Sequence, residues 1–130
     1  MAEIPYSQIF EGPWDNARVK CIKWPGLANG DVGKPYPLPH FADRSVQVVG
    51  TPGVGGKLQF KGSSTIKDAT GALLDTPVFD VLSDTRGALL EFTVSGPLRQ
   101  IVEVCHAVRP EVVSGDVNSL WDVYLYLKSG

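Results

Sequence analysis

Leu120-Trp121-Asp122-Val123-Tyr124-Leu125-Tyr126-Leu127-Lys128 decides the fold: Trp121, Val123, Leu125 and Leu127 fall on one parity, Asp122, Tyr124, Tyr126 and Lys128 on the other. An extended chain sends successive side chains to opposite faces, so this alternation marks a strand with one face in a core. The odd-numbered face is expected inside, with Tyr124 and Tyr126 outside.

Working back from that strand, the same period recurs between turn signals. Ala107 to Val113 reads as a strand interrupted by Pro110, which cannot donate to a ladder and belongs at a bulge or an edge. Leu98 to Cys105 follows the break Ser95-Gly96-Pro97, and Val78 to Leu82 with Ala88 to Val94 reads as a β-hairpin. Ser45 to Val49 and Lys57 to Lys61 read as another hairpin around a glycine-rich turn, and Arg18 to Trp24 as the first clear strand. Gly62 to Thr76 is polar and loop-like. Leu27 to Pro39, with Pro35, Pro37 and Pro39, is expected to form an ordered surface loop or an irregular edge. No amphipathic helix longer than two turns emerges. About seven or eight short strands, spaced by roughly 8 to 15 residues, imply an all-β fold, an antiparallel β-sandwich or jelly roll.

Residues 1–17 lack a sustained period yet carry Ile4, Tyr6, Ile9, Phe10 and Trp14. We read them as an extended N-terminal arm ahead of a sandwich domain spanning 18–130. Five large apolar side chains in so short a stretch imply a cover, supplied by the chain's own domain or by a neighbour.

Composition narrows the function. The 130 residues suit one domain, and 14 Gly with 10 Pro suits many short strands better than helices. The net charge is −2 and the 12 basic residues are scattered singly, which gives no electrostatic footprint for nucleic acid. No apolar run approaches the length that spans a bilayer, and no charged leader precedes a hydrophobic segment, so synthesis in a cytoplasm is expected. Cys21 and Cys105 each lie in an apolar run, where they read as buried free thiols, with a disulfide as the alternative.

The candidate catalytic patterns fail on chemistry. Gly50-Thr51-Pro52-Gly53-Val54-Gly55-Gly56-Lys57 resembles a phosphate-cradling loop, but its spacing is off by one. Leu58 also stands where a magnesium-binding hydroxyl is needed, and the residues after it alternate like a strand. His40 and His106 have no local ligand pair, so a zinc site would have to gather them with Cys21 and Cys105 from distant segments. Cys105 and His106 are adjacent, which on a strand puts them on opposite faces. Carboxylates such as Asp84, Glu91, Asp116 and Asp122 fall at turns or on solvent faces. No enzyme activity, cofactor or metal is therefore expected. The aromatics are the better clue: Tyr124 and Tyr126 on an outward strand face, with Trp14, Tyr36 and Phe41 in arm or loop, offer contact area with few rotors to freeze.

Two stretches carry a family likeness. Gly26-Leu27-Ala28-Asn29-Gly30-Asp31-Val32-Gly33 with Pro39-His40-Phe41-Ala42-Asp43-Arg44-Ser45-Val46-Gln47-Val48-Val49-Gly50-Thr51 is the first, and Val108-Arg109-Pro110-Glu111-Val112-Val113-Ser114-Gly115-Asp116 the second. Together they resemble a family of small tailed-bacteriophage virion proteins, over most of residues 18–130. That family usually runs Gly-Ser-Asn-Asp-Gly before a Trp; here Gly62-Ser63-Ser64-Thr65-Ile66-Lys67-Asp68 and a longer insertion stand instead, with Phe79 near the Trp position. The resemblance implies a jelly-roll-like capsid decoration or cement protein on the virion surface. Such a protein would bind the major capsid protein, bridge neighbouring coat subunits and itself form a homodimer or trimer. Ile4, Tyr6, Ile9, Phe10, Trp14, Tyr36, Phe41, Tyr124 and Tyr126 are the expected partner-binding residues. The alternative is a phage tail or adhesion component that stacks host glycan on aromatics such as Tyr124 or Trp14.

Overall fold

A computed structural model describes residues 2–14, 17–37, 43–65, 77–103 and 105–129. The described residues form β-strands and no helix: β1 (Glu3–Ile4), β2 (Ser7–Trp14), β3 (Ala17–Ala28), β4 (Val32–Gly33), β5 (Tyr36–Pro37), β6 (Asp43–Thr51), β7 (Lys57–Ser63), β8 (Asp80–Val81), β9 (Glu91–Phe92), β10 (Leu98–Gln100), β11 (Ala107–Ser114) and β12 (Leu120–Ser129). Two sheets share them. Sheet A runs β1-β4-β11-β7-β8, with β5 also on β11 and β9 also on β7; sheet B runs β10-β6-β12-β3-β2. The expected all-β sandwich is thus what forms.

β12 lies at the centre of sheet B, antiparallel to β3 on one side and β6 on the other. Its odd-numbered face, Trp121, Val123, Leu125 and Leu127, is fully buried. These side chains join Ile22, Trp24, Val46 and Val48 of sheet B, and Leu58, Phe60, Phe92, Val108 and Val112 of sheet A, in one core. Trp24 and Phe60 meet edge to face across the two sheets, ring centroids 5.9 Å apart. Such a geometry favours aromatic pairs beyond their burial.

The two segments read as one hairpin, around 45–49 and 57–61, do not pair with each other: β6 belongs to sheet B and β7 to sheet A. Both strands carry an apolar face, and the turn between them is long enough to cross from one sheet to the other, so each buries that face from its own side. The second expected hairpin survives only near its tip, where Ser83 bridges Leu89 and Asp84 N–H donates to the Ala88 carbonyl. Its flanks, β8 and β9, both pair with β7. Of the expected strand 98–105, Leu98–Gln100 forms a strand among the described residues.

Pro110 sits inside sheet A, opposite Phe60 of β7. Its nitrogen faces the side where β4 pairs at Glu111 and β5 at Ala107 and Val108, leaving a gap that asks for no donor. The described part of the proline-rich stretch, up to Pro37, is drawn in there as well. β5 places Tyr36 in the core, and a side chain on Gly33 would collide with Pro110 and Trp24.

The N-terminal arm is extended, and it is woven into both sheets of its own domain. β1 runs parallel to β4 in sheet A, and β2 runs antiparallel to β3 in sheet B with Trp14 opposite Ala17. Between them Tyr6 packs edge to face on Tyr36 and Trp24 at 5.0 and 6.0 Å. The absence of period in 1–17 has two causes: the chain changes sheets at Pro5-Tyr6, and a bulge at Ile9 breaks the alternation of β2.

Candidate functional site

Two surfaces stand out. The first is the outer face of sheet B. Because Val123, Leu125 and Leu127 point inward, Tyr124 and Tyr126 point out, and cross-strand register places their neighbours. One row across the sheet reads Phe10, Cys21, Tyr126, Ser45, Gln100; the next reads Ser7, Lys23, Tyr124, Gln47, Leu98. Tyr124 and Tyr126 line a shallow hollow with Cys21, Ser45, Gln47 and Leu98. Leu98 is 64% exposed, Phe10 43% and Tyr126 38%, so this face carries exposed apolar side chains from one edge strand to the other.

Charge marks the two ends of that face. At one end Asp122 accepts from Gly26 N–H at 2.8 Å and lies 3.7 Å from Lys23 Nζ. Lys23 also rides over the Tyr124 ring at 5.2 Å, and the Tyr124 hydroxyl, followed by the Asp122 charge, raises its pKa. At the other end Lys128 pairs in register with Asp43. Cys21, in the middle, is a free thiol whose pKa burial pushes up, which keeps it protonated and weakly nucleophilic.

The second surface is the end of the sandwich where the β6–β7 and β11–β12 loops meet. Asp116 and Ser119 clasp them. Asp116 Oδ2 accepts from Val54 N–H at 3.0 Å and its Oδ1 accepts from Asn118 N–H at 2.9 Å. Ser119 Oγ donates to the Pro52 carbonyl at 2.6 Å and accepts from Asp116 N–H at 3.0 Å. Ser114 Oγ closes the ring on the Gly55 carbonyl at 2.9 Å. The glycines that resemble a phosphate cradle serve this closure. A side chain on Gly56 would strike the Pro52 carbonyl, and Gly53, at φ +74°, would drive one into Asp116. Lys57 begins strand β7 and holds no anion loop. The tied tips expose apolar side chains: Val54 is 81% exposed and Val117 99%, with Leu120 and Val113 exposed nearby.

Of the expected contact residues, Phe10, Tyr124 and Tyr126 are brought together on the face of sheet B, and Ile9 is exposed on the β2 bulge. Ile4 and Tyr6 pack partly buried against the core, and Tyr36 is buried within it. Lys20 seals that corner, 5.4 Å over the Tyr36 ring and 3.4 Å from Glu11. Trp14 ends β2, and Phe41 lies outside the described residues. Nothing in the sequence points to Leu98, Cys21, Val54 or Val117 as contact residues, since their placement depends on strand order and on which loops meet.

Elsewhere, polar groups are tied down in pairs. Arg99 grips Asp84 through Nε and Nη2 at 3.1 and 2.8 Å, holding that carboxyl below its usual range. Burial pushes Glu103 up, but two hydrogen bonds from Ser83 and the charge of Arg44 outweigh it, so the net shift is downward. Among the described residues no group of three or more His, Cys, Asp or Glu gathers in a way that could hold a metal ion.

No protein-family model matches the chain, and no curated protein matches it in sequence. Among solved structures it is similar to the SPBc2 prophage-derived protein YomS, with a TM-score of 0.58 and 17% identity over 85% of this chain and 95% of that one. At that identity the likeness is one of fold, extending over nearly the whole of both chains.

Proposed function

We propose that this chain is a phage virion structural protein, a capsid decoration or cement protein that docks on the coat shell and bridges neighbouring major capsid subunits. The observation that carries this reading is the clasped loop end. Loop tips are usually polar, yet here two nearly bare valines sit on loops already cross-tied by Asp116 and Ser119. Full burial of a valine or leucine side chain is worth about 1.5–3 kcal/mol, so covering Val54, Val113, Val117 and Leu120 supplies several kcal/mol per copy. Because the loops are ordered before docking, little of that gain is lost to freezing them. A modest gain per copy, repeated over a shell, suffices for a cement. The sandwich shared with a prophage-derived protein supports the reading, as does the resemblance of 26–51 and 108–116 to phage virion proteins.

The test is occupancy on capsids stripped of the protein. The double variant Val54→Asp, Val117→Asp keeps the core intact and should reduce occupancy by about tenfold or more; undiminished occupancy overturns the docking end. The adhesion alternative draws on one observation, the tyrosines of sheet B flanked by Gln47 and Gln100, an aromatic platform with amide partners. Glycan binding abolished by Tyr126→Ala would favour it.

A further inference from the structure

We infer that the outer face of sheet B is a homotypic interface, covered by a second copy of this chain packed face to face with its β12 antiparallel to the first. The inference stands apart from the coat-docking end, because it concerns the other surface. Its basis is the outward sequence of β12, Asp122, Tyr124, Tyr126, Lys128: an anion, two aromatics, a cation.

A two-fold axis lying in the interface across the strands reverses that order on the facing copy. Asp122 then meets Lys128 of the second molecule, Lys128 meets its Asp122, and Tyr124 lies against its Tyr126. Register shows what the remaining charges meet. Lys23, beside Tyr124, faces the position of Cys21, and Asp43, beside Lys128, faces that of Val49, so no like charges stand directly opposite one another. A two-fold axis along the strands would instead stack Lys128 on Lys128 and Asp122 on Asp122. Charge therefore selects one orientation.

Size agrees. A five-stranded sheet with strands about 4.8 Å apart and about 3.3 Å per residue offers a face of roughly 600 Å², close to the ~800 Å² per partner of a stable interface. An apolar band crosses the sheet from Phe10 on one edge strand, through Tyr126 and Tyr124 on the central strand, to Leu98 on the other edge, with the charges of Asp122 and Lys128 at the two ends of the central strand. The same symmetry sends the two clasped loop ends to opposite poles, because both lie at the Asp122 end of β12. Such a dimer presents two docking tips, and this bivalency is what bridging two coat subunits needs.

Sedimentation velocity over a concentration series tests the interface with three proteins. Wild type should dimerise. Lys128→Glu and Asp122→Lys, each alone, should weaken self-association by about tenfold or more, since each sets like charges in contact at two symmetric points. Mixing those two variants should restore the dimer, because the acidic side chain introduced at position 128 of one then meets the basic side chain introduced at position 122 of the other. Asp122→Lys also removes an acceptor from Gly26 N–H, so far-UV circular dichroism checks that it is folded, and the mixing result does not depend on its stability. Labelling of Cys21 by a bulky maleimide gives a second readout and should slow as dimer forms. A monomeric wild type, an association indifferent to Lys128→Glu, or a mixture no tighter than its components overturns the inference.

Discussion

Ser119→Ala should loosen the clasped loop end and cost the domain about 2–3 kcal/mol. Ser119 is buried, 3% exposed, and its hydroxyl serves two backbone groups at once, the Pro52 carbonyl at 2.6 Å and Asp116 N–H at 3.0 Å. Each hydrogen bond is worth about 0.5–1.5 kcal/mol net, and a stranded buried group costs about 1–3 kcal/mol. Two such bonds lost from a buried hydroxyl put the cost at about 2–3 kcal/mol. For a domain of this size, 1 kcal/mol moves the melting temperature by about 3–5 °C, so the midpoint should fall by roughly 8–12 °C. The assay is a thermal melt by circular dichroism, paired with amide exchange at Val54 and Asp116, whose N–H groups the clasp protects. A shift under about 2 °C with unchanged exchange at Val54 would refute the claim that Ser119 holds the two loops together.

Three further outcomes rest on particular contacts. Trp24 Nε1 donates to the Lys34 carbonyl at 2.9 Å while Trp121 Nε1 has no partner among the described residues, so Trp24→Phe should cost about 1 kcal/mol more than Trp121→Phe in urea titrations. Asp84 is held below its ordinary value of 3.8 by Arg99, then by the Arg86 and Ala88 amides, so its stabilisation is fully present above that pH and lost as pH falls through the depressed value. Asp84→Asn should therefore be less stable at neutral pH, and its deficit should shrink below about pH 4, as read from denaturant midpoints across pH. Gly56→Ala must displace the Pro52 carbonyl, so it should destabilise the domain, read as a lower midpoint in the same titrations.

The final strand is legible in the sequence because its alternation is unbroken and both its neighbours are antiparallel strands of comparable length. Sheet membership is not. The apolar faces of β6 and β7 would satisfy a hairpin or a crossing equally well, and only the competition of all strands for one core decides it. The arm is opaque for a similar reason, since two short strands in different sheets and a bulge at Ile9 leave no period to read. Tyr36 reads as a loop residue among prolines, yet β5 needs only two residues on β11 to bury it. Of the contact surface, Tyr124 and Tyr126 follow from parity alone. Phe10, Cys21 and Leu98 share their face only through strand order, and Val54 and Val117 share an end only because Asp116 and Ser119 tie loops more than 60 residues apart, as in the Val54–Asp116 bond with its separation of 62.

The most direct test of the proposed cement role is quantitative mass spectrometry of virions purified from cells that make the chain. A cement protein should be present at a copy number comparable to that of the major capsid protein, and stripping it should lower shell stability. A copy number matching a tail fibre, or absence from the particle, would contradict the account.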